Sequence, residues 1–208
     1  MVRILGILTL TLLVNTLLGG CAKAPAMTNT GFLSTYENLE TVDKGRMKYL
    51  TGDFVAKYDK VIINRVQVIV HSEKPVMTAE ERDEVIDYFQ AALERVMTNA
   101  GFEVVTEPGP DTARLRVAIT DIQKSSFWGN LHPGSKLMGA GTGGASMEGE
   151  LLDSVTGRQL GAVIQAKKGS QFDLEYFDGL NDVKDTIDGW AKQASKTFES
   201  MRAKPESG

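Results

Sequence analysis

The chain is poor in the residues from which most enzymatic and metal chemistry is built. One cysteine, Cys21, stands in 208 residues, so no internal disulfide can staple the fold. Two histidines, His71 and His132, lie far apart and lack the H-x-x-x-H spacing of a zinc helix, so neither a metal site nor a metal-dependent activity is expected. No G-x-S-x-G elbow occurs, and no nucleophile–base pair stands out among the separated Ser, His and Asp residues. Lys and Arg number 23 against 27 Asp and Glu, for a net charge of −4, and no segment forms a long basic stripe, which argues against a nucleic-acid partner. After the first twenty residues no apolar run approaches the ~20 residues that a membrane-spanning helix needs. No internal repeat is visible.

What is present at the N-terminus is specific. Arg3 precedes an uncharged stretch from Ile4 to Leu18, which reads as a secretory signal over residues 1–20. The junction Leu18-Gly19-Gly20-Cys21 resembles the bacterial lipobox. The resemblance implies that the Cys21 thiol carries diacylglycerol, that the Gly20–Cys21 bond is cut, and that the new amine is acylated. Several acyl chains make a durable anchor where one does not. Ala22, where Asp would favour inner-membrane retention in lipoproteins of the enteric type, points by the same resemblance to the outer membrane, facing the periplasm. A lone thiol in an exported chain fits lipidation better than chance, because a free one invites intermolecular disulfides.

Residues 21–30 are small and polar and read as a flexible tether, leaving 31–204 as one domain. Phe32, Leu33, Tyr36 and Leu39 suggest an arm laid over that domain. The stretch 58–70, YDKVIINRVQVIV, reads as a strand with Val66, Val68 and Val70 on one face. Thr78-Ala79-Glu80-Glu81 is a capping box, followed by Val85, Ile86, Phe89, Leu93, Val96, Met97 and Ala100 at helical spacing, with Gly101 at the C-terminal cap. Short strands are expected at 102–106 and around Leu115, Val117 and Ile119, whose face lies opposite Arg114, Arg116 and Ala118. Turn chemistry at Asp153-Ser154 to Thr156-Gly157 predicts a hairpin of 145–152 and 159–167. Leu180, Val183, Ile187, Trp190, Ala191, Ala194, Phe198 and Met201, with Phe177 before them, predict a final amphipathic helix. The expected fold is α+β: a four- or five-stranded, mostly antiparallel sheet with two amphipathic helices, in the order β-α-β-β-β-α, each helix covering one face or edge.

The run Gly139–Gly144, GAGTGG, matches G-x-G-x-x-G. A dinucleotide loop needs a strand before it and a helix after it. Here the alternating SMEGELLD follows, which is a strand pattern, and no cofactor is expected. Carboxylates at Glu80 and Glu81 are explained by the helix start. The connection 125–144 holds Phe127, Trp128 and Leu131 among Gly and Pro. Two readings stand: an exposed contact patch for a partner or lipid, or a loop folded back on the sheet.

GFLSTYENL near the mature start, YDKVIINRVQV in the first strand and MEGELLDSVTGRQL in the hairpin resemble the bacterial lipoprotein family called domain of unknown function 3313, across nearly all of residues 31–200. That resemblance implies no catalytic residue. The Gly-rich stretch with its D-S-x-T-G hairpin is also similar to envelope lipoproteins that assist transport or secretion. The function expected is a membrane-anchored lipoprotein, held through acylated Cys21, that binds or organises an envelope protein partner without catalysis. The alternatives are an oligomeric accessory subunit of an export or transport assembly and, lower, a periplasmic hydrolase.

Overall fold

The computed structural model describes residues 29–43, 45–52, 54–69, 77–123, 144–168 and 179–203. In chain order they form β1 (Glu40–Asp43), β2 (Arg46–Leu50), α1 (Phe54–Lys57), β3 (Lys60–Ile63), β4 (Gln67–Val68), α2 (Ala79–Asn99), β5 (Glu103–Val104), β6 (Thr112–Gln123), β7 (Gly144–Asp153), β8 (Gln159–Lys168) and α3 (Gly179–Arg202). The fold is mixed α+β, as expected. The sheet is larger: eight strands in the order β1-β2-β8-β7-β6-β3-β5, with β4 beside β6, and three helices rather than two.

Each departure has a local cause. Residues 40–50 form the β1–β2 hairpin, which the sequence hid because β1 is an exposed edge strand with no buried face to impose alternation. Gly45 sits at its reversal, where an added Cβ would come 2.7 Å from the Ala166 carbonyl oxygen, so backbone must meet backbone there. The stretch 58–70 is two short strands, not one. Lys60 pairs with Thr112 but Gln67 pairs with Ala118, so β3–β4 carries one extra residue against β6. The bulge turns Val66 into the core at 2% exposure, and its N–H donates to Gln90 Oε1 on α2 at 3.2 Å. The β3–α2–β5 unit is a parallel crossover, and β3 and β4 also run parallel to β6, so the sheet is mixed while its long ladders, β6–β7 and β7–β8, are antiparallel.

The helices share one sheet face instead of covering one each. Thr78 accepts from the Glu81 N–H and the Glu81 carboxylate accepts from the Thr78 N–H, closing the expected capping box. That start holds the Glu80 carboxyl below its ordinary value, through its own backbone N–H and then Thr78. At the other end Gly101, at φ 81°, donates to Thr98 while Phe102 donates to Met97, a Schellman closure that a side chain at Gly101 would strain. Val85, Phe89, Leu93, Val96 and Met97 of α2 join Val183, Ile187, Trp190 and Phe198 of α3 over Leu115, Val117 and Ile119 of β6. Phe54, Tyr58, Phe102 and Phe198 pack ring on ring at one end, and Phe89 meets Trp190 at 5.7 Å. Tyr88 donates to Asp188 and Lys184 to Glu84, tying α2 to α3 at the surface.

The β7–β8 turn is built as its residues predict. Asp153 Oδ1 accepts from the backbone N–H groups of Val155 and Thr156 and from the Thr156 hydroxyl, while Oδ2 accepts from the buried Tyr58 hydroxyl at 2.7 Å. These donors, Thr156 N–H first and Tyr58 next, hold the Asp153 carboxyl at about 2, while burial and the same contact push the Tyr58 phenol up.

Phe89 is 1% exposed, so Phe89→Ala should cost ~3–5 kcal/mol in a urea titration; a loss below ~1 kcal/mol would mean that the site relaxes like surface. The Asp153 carboxyl has a folded value below the ~3.9 of an unfolded chain. Its contribution is therefore present above about pH 4 and lost as pH falls through about 2. Asp153→Asn should flatten the fall of stability with pH in that window, measured by denaturant titration at stepped pH.

Candidate functional site: a carboxylate clasp beneath the N-terminal arm

The face of the sheet away from the helices is covered by the arm, residues 29–39. Phe32 and Leu33 are buried there on Ala118, Ala162 and Ile164, with Tyr36, Leu39, Met47 and Ile69 at the margin. This is the apolar face that the sequence suggests, built from bends and a turn. An apolar patch of this size attaches the arm but does not fix where it lies.

The fixing comes from β7. Its alternation sends Met147 and Leu151 to the helix side. Glu148 and Glu150, at 0% and 1% exposure, therefore lie under the arm. Buried carboxylates are tolerated only when their oxygens are met, and here all four are. Glu148 Oε1 accepts from the Thr30 N–H at 3.0 Å and Oε2 from the Tyr36 hydroxyl at 2.5 Å. Glu150 Oε1 accepts from Arg116 Nη1 at 2.6 Å, across the strand pair where Arg116 faces Glu150. Glu150 Oε2 accepts from the Ser34 N–H at 2.9 Å, the Ser34 hydroxyl at 2.7 Å and Gln159 Nε2 at 3.0 Å. Arg116 also stacks over the Phe32 ring at 4.8 Å, and Gln159 donates to the Thr35 carbonyl.

Tyr36 is the hinge pin of the arm. Its hydroxyl accepts from the N–H groups of Gly31 and Leu33 while donating to Glu148, so one oxygen closes the loop 31–36 and docks it. Burial, then the bond to Glu148, push the phenol above its ordinary value, so it stays a donor at any physiological pH.

Two carboxylates side by side could serve acid–base chemistry if a substrate reached them. Here every oxygen is engaged by arm, strand or Arg116. The arrangement is a clasp between the arm, residues 29–39, and the sheet. Among the described residues, no group of three His, Cys, Asp or Glu could hold a metal ion, and no helix is long and apolar enough to cross a membrane.

The residues that the sequence singled out are not brought into this site. Gly20, Cys21, His71, Phe127, Trp128, Leu131, His132 and Gly139–Gly143 lie outside the described residues. Gly144 opens β7, so a strand follows the glycines. Sequence reasoning missed Glu148 and Glu150. The visible sign was their spacing of two within an otherwise buried strand, with Arg116 on the polar side of β6 to meet one of them.

The family model described as "Protein of unknown function (DUF3313)" matches residues 28–194. No curated protein matches. Among solved structures, the chain is similar to the PelC dodecamer from Paraburkholderia phytofirmans at 13% identity, covering 77% of this chain and 98% of that one, with a TM-score of 0.46. A DUF4136 family protein from Bacteroides thetaiotaomicron matches at 11% identity, 77% and 97% coverage and TM-score 0.41. A minor lipoprotein from Acinetobacter baumannii matches at 12%, 70% and 95%, with TM-score 0.38.

Tyr36→Phe should cost ~2–3 kcal/mol, because it leaves a buried carboxylate oxygen and the Leu33 N–H unmet. It should also speed proteolytic cleavage within residues 29–39. A loss below ~1 kcal/mol with unchanged cleavage would show that the apolar contacts alone hold the arm.

Proposed function

Because the chain belongs to the DUF3313 family, whose members bring no assigned activity, we propose a role from the arm itself: a lipid-anchored, non-catalytic lipoprotein of the cell envelope that binds or organises envelope partners. The observation that carries this reading is the clasp. It fixes to the sheet the segment that immediately follows the tether from Cys21. A load applied at the N-terminus meets Thr30, Ser34 and Tyr36 before it reaches the rest of the domain. A free surface arm would need no buried charge, whereas an arm that transmits an anchor does.

In this reading Cys21 is acylated after cleavage at Gly20, and Ala22 directs the chain to the outer membrane, facing the periplasm. From Cys21 to Thr30 the chain spans at most about 30 Å, so the domain stays within about one domain diameter of the bilayer. The link between β6 and β7, with Phe127, Trp128 and Leu131, is the proposed partner contact, since rigid aromatic anchors give large buried area for few rotatable bonds.

Cys21→Ser should abolish palmitate labelling and accumulate the uncleaved precursor in cells. Efficient labelling of that variant would overturn the anchor, and co-sedimentation of the parent with inner-membrane markers would overturn the sorting. Trp128→Ala should leave the melting temperature nearly unchanged while weakening recovery of crosslinked envelope proteins; a large drop in melting temperature with an unchanged crosslinking pattern would remove the link as a contact.

A further inference from the structure

The opposite face of β7 borders a cavity of about 160 Å³ between the sheet and the helices. Leu93, Met97, Val117, Met147, Val163 and Trp190 make its walls apolar. Gly149 leaves room on the β7 side, where an added Cβ would stand 3.3–3.5 Å from Met147, Val163 and Val117. The rim is different. Arg46 and Lys48 of β2 line it on the same strand face as Leu50, and a Gln165–Gln193 hydrogen bond of 2.7 Å lies beside them. Two buried donors among the lining residues, Arg46 Nε and Trp190 Nε1, meet no acceptor among the described residues. Buried donors are rarely left unmet, and among the described residues Arg46 has one ion pair, to Asp43 at 3.3 Å.

We propose that this cavity binds the acyl chain of a single-chain anionic amphiphile, with its carboxylate or phosphate oxygens at Arg46 and Lys48. Charge, volume and orphan donors all favour this occupant. An apolar cavity of about 150 Å³ holds a benzene-sized guest, so this one takes a segment of about six carbons. Each methylene withdrawn from water gains about fourfold in affinity. A purely apolar guest would leave Arg46 Nε unmet, whereas an oxygen-bearing head supplies acceptors at the cationic rim. The site lies on the helix side of the sheet and does not depend on how the chain is anchored.

The test uses the full chain in phosphatidylcholine vesicles, with Trp128→Phe so that Trp190 is the sole tryptophan reporter. 8-Bromooctanoate should quench Trp190 saturably. The matched 8-bromooctanol should bind about tenfold more weakly, and the R46Q/K48Q double variant should lose about tenfold for the acid. Ala194→Phe, which places a ring in the cavity, should remove saturable quenching. Should that variant fail to fold, the double variant decides alone. To separate the two sources of such a chain, vesicles containing phosphatidylglycerol with brominated chains replace the added acid. Quenching there that octanoate displaces identifies bilayer lipid as the ligand; saturable quenching by added acid alone identifies free fatty acid. Non-saturating quenching in every arm, or equal binding of acid and alcohol with no loss in R46Q/K48Q, would overturn the proposal.

Discussion

Two carboxylates buried on one strand set the terms for the rest of this structure. Glu148 and Glu150 are in the longest ladders of the sheet, flanked by β6 and β8, and neither reaches water. Leaving such groups uncompensated costs several kcal/mol per charge, far more than one hydrogen bond returns. A single nearby guanidinium, Arg116, pairs with one of them. Gln159 on β8 adds one donor, and the arm supplies the others: two backbone N–H groups and two hydroxyls aimed into the face of the sheet. An arm laid over them in another register would leave two solvent-stripped acids without these donors. The carboxylates therefore specify the arm's position as well as holding it, which the apolar contacts of Phe32 and Leu33 cannot do, since those tolerate sliding.

The alternation of one strand divides the molecule's work. From Ser146 to Leu151 the even-numbered residues of β7, Ser146, Glu148 and Glu150, are polar and face the arm, while Met147 and Leu151 face the helices and Gly149 between them has no side chain. Both helices then have to share the same side, which is why α3 crosses α2 instead of shielding the far face. The far face needs only a thin cover because the arm satisfies it chemically. The helix side needs bulk, and two amphipathic helices, with Phe89 on Trp190 between them and the rings of Phe54, Tyr58 and Phe102 around Phe198 at one end, provide most of it, short of the space beside Gly149.

Much of this was legible in the residues. The capping box at Thr78, the Schellman glycine at 101, the Asp153 turn and the apolar faces of both long helices are local patterns, and local patterns survive into the fold because no distant contact opposes them. The faces of β6 were readable for the same reason. What was not readable depends on pairing between distant segments. β1 lacks a buried face because it is an edge, β2 is too short for its alternation to stand out, and the slip between β3 and β4 exists only relative to β6. The clasp was hidden most fully, since its halves lie more than a hundred residues apart in sequence. Ser34 and Tyr36 sit in one stretch that carries the family resemblance, and Glu148, Glu150 and Gln159 in another. Each alone reads as ordinary surface chemistry.

That the two stretches carrying the resemblance should meet follows from the electrostatics. Among the described residues Glu148 has no cation as a hydrogen-bond partner and is met by dipoles: the Thr30 N–H and the Tyr36 hydroxyl, which is itself polarised by accepting from Gly31 and Leu33. Such a chain of donors strengthens each member in a low-dielectric setting. It also couples them, because removing the phenol leaves Glu148 Oε2 unmet and loosens the loop that presents Thr30. A sequence that keeps Glu148 must therefore keep a donor at position 36 and a tight turn at 31–36. One that loses either gains by replacing Glu148 with an apolar residue. The polar clasp persists only as a unit, its donors on residues 30–36 and its acceptors on β7.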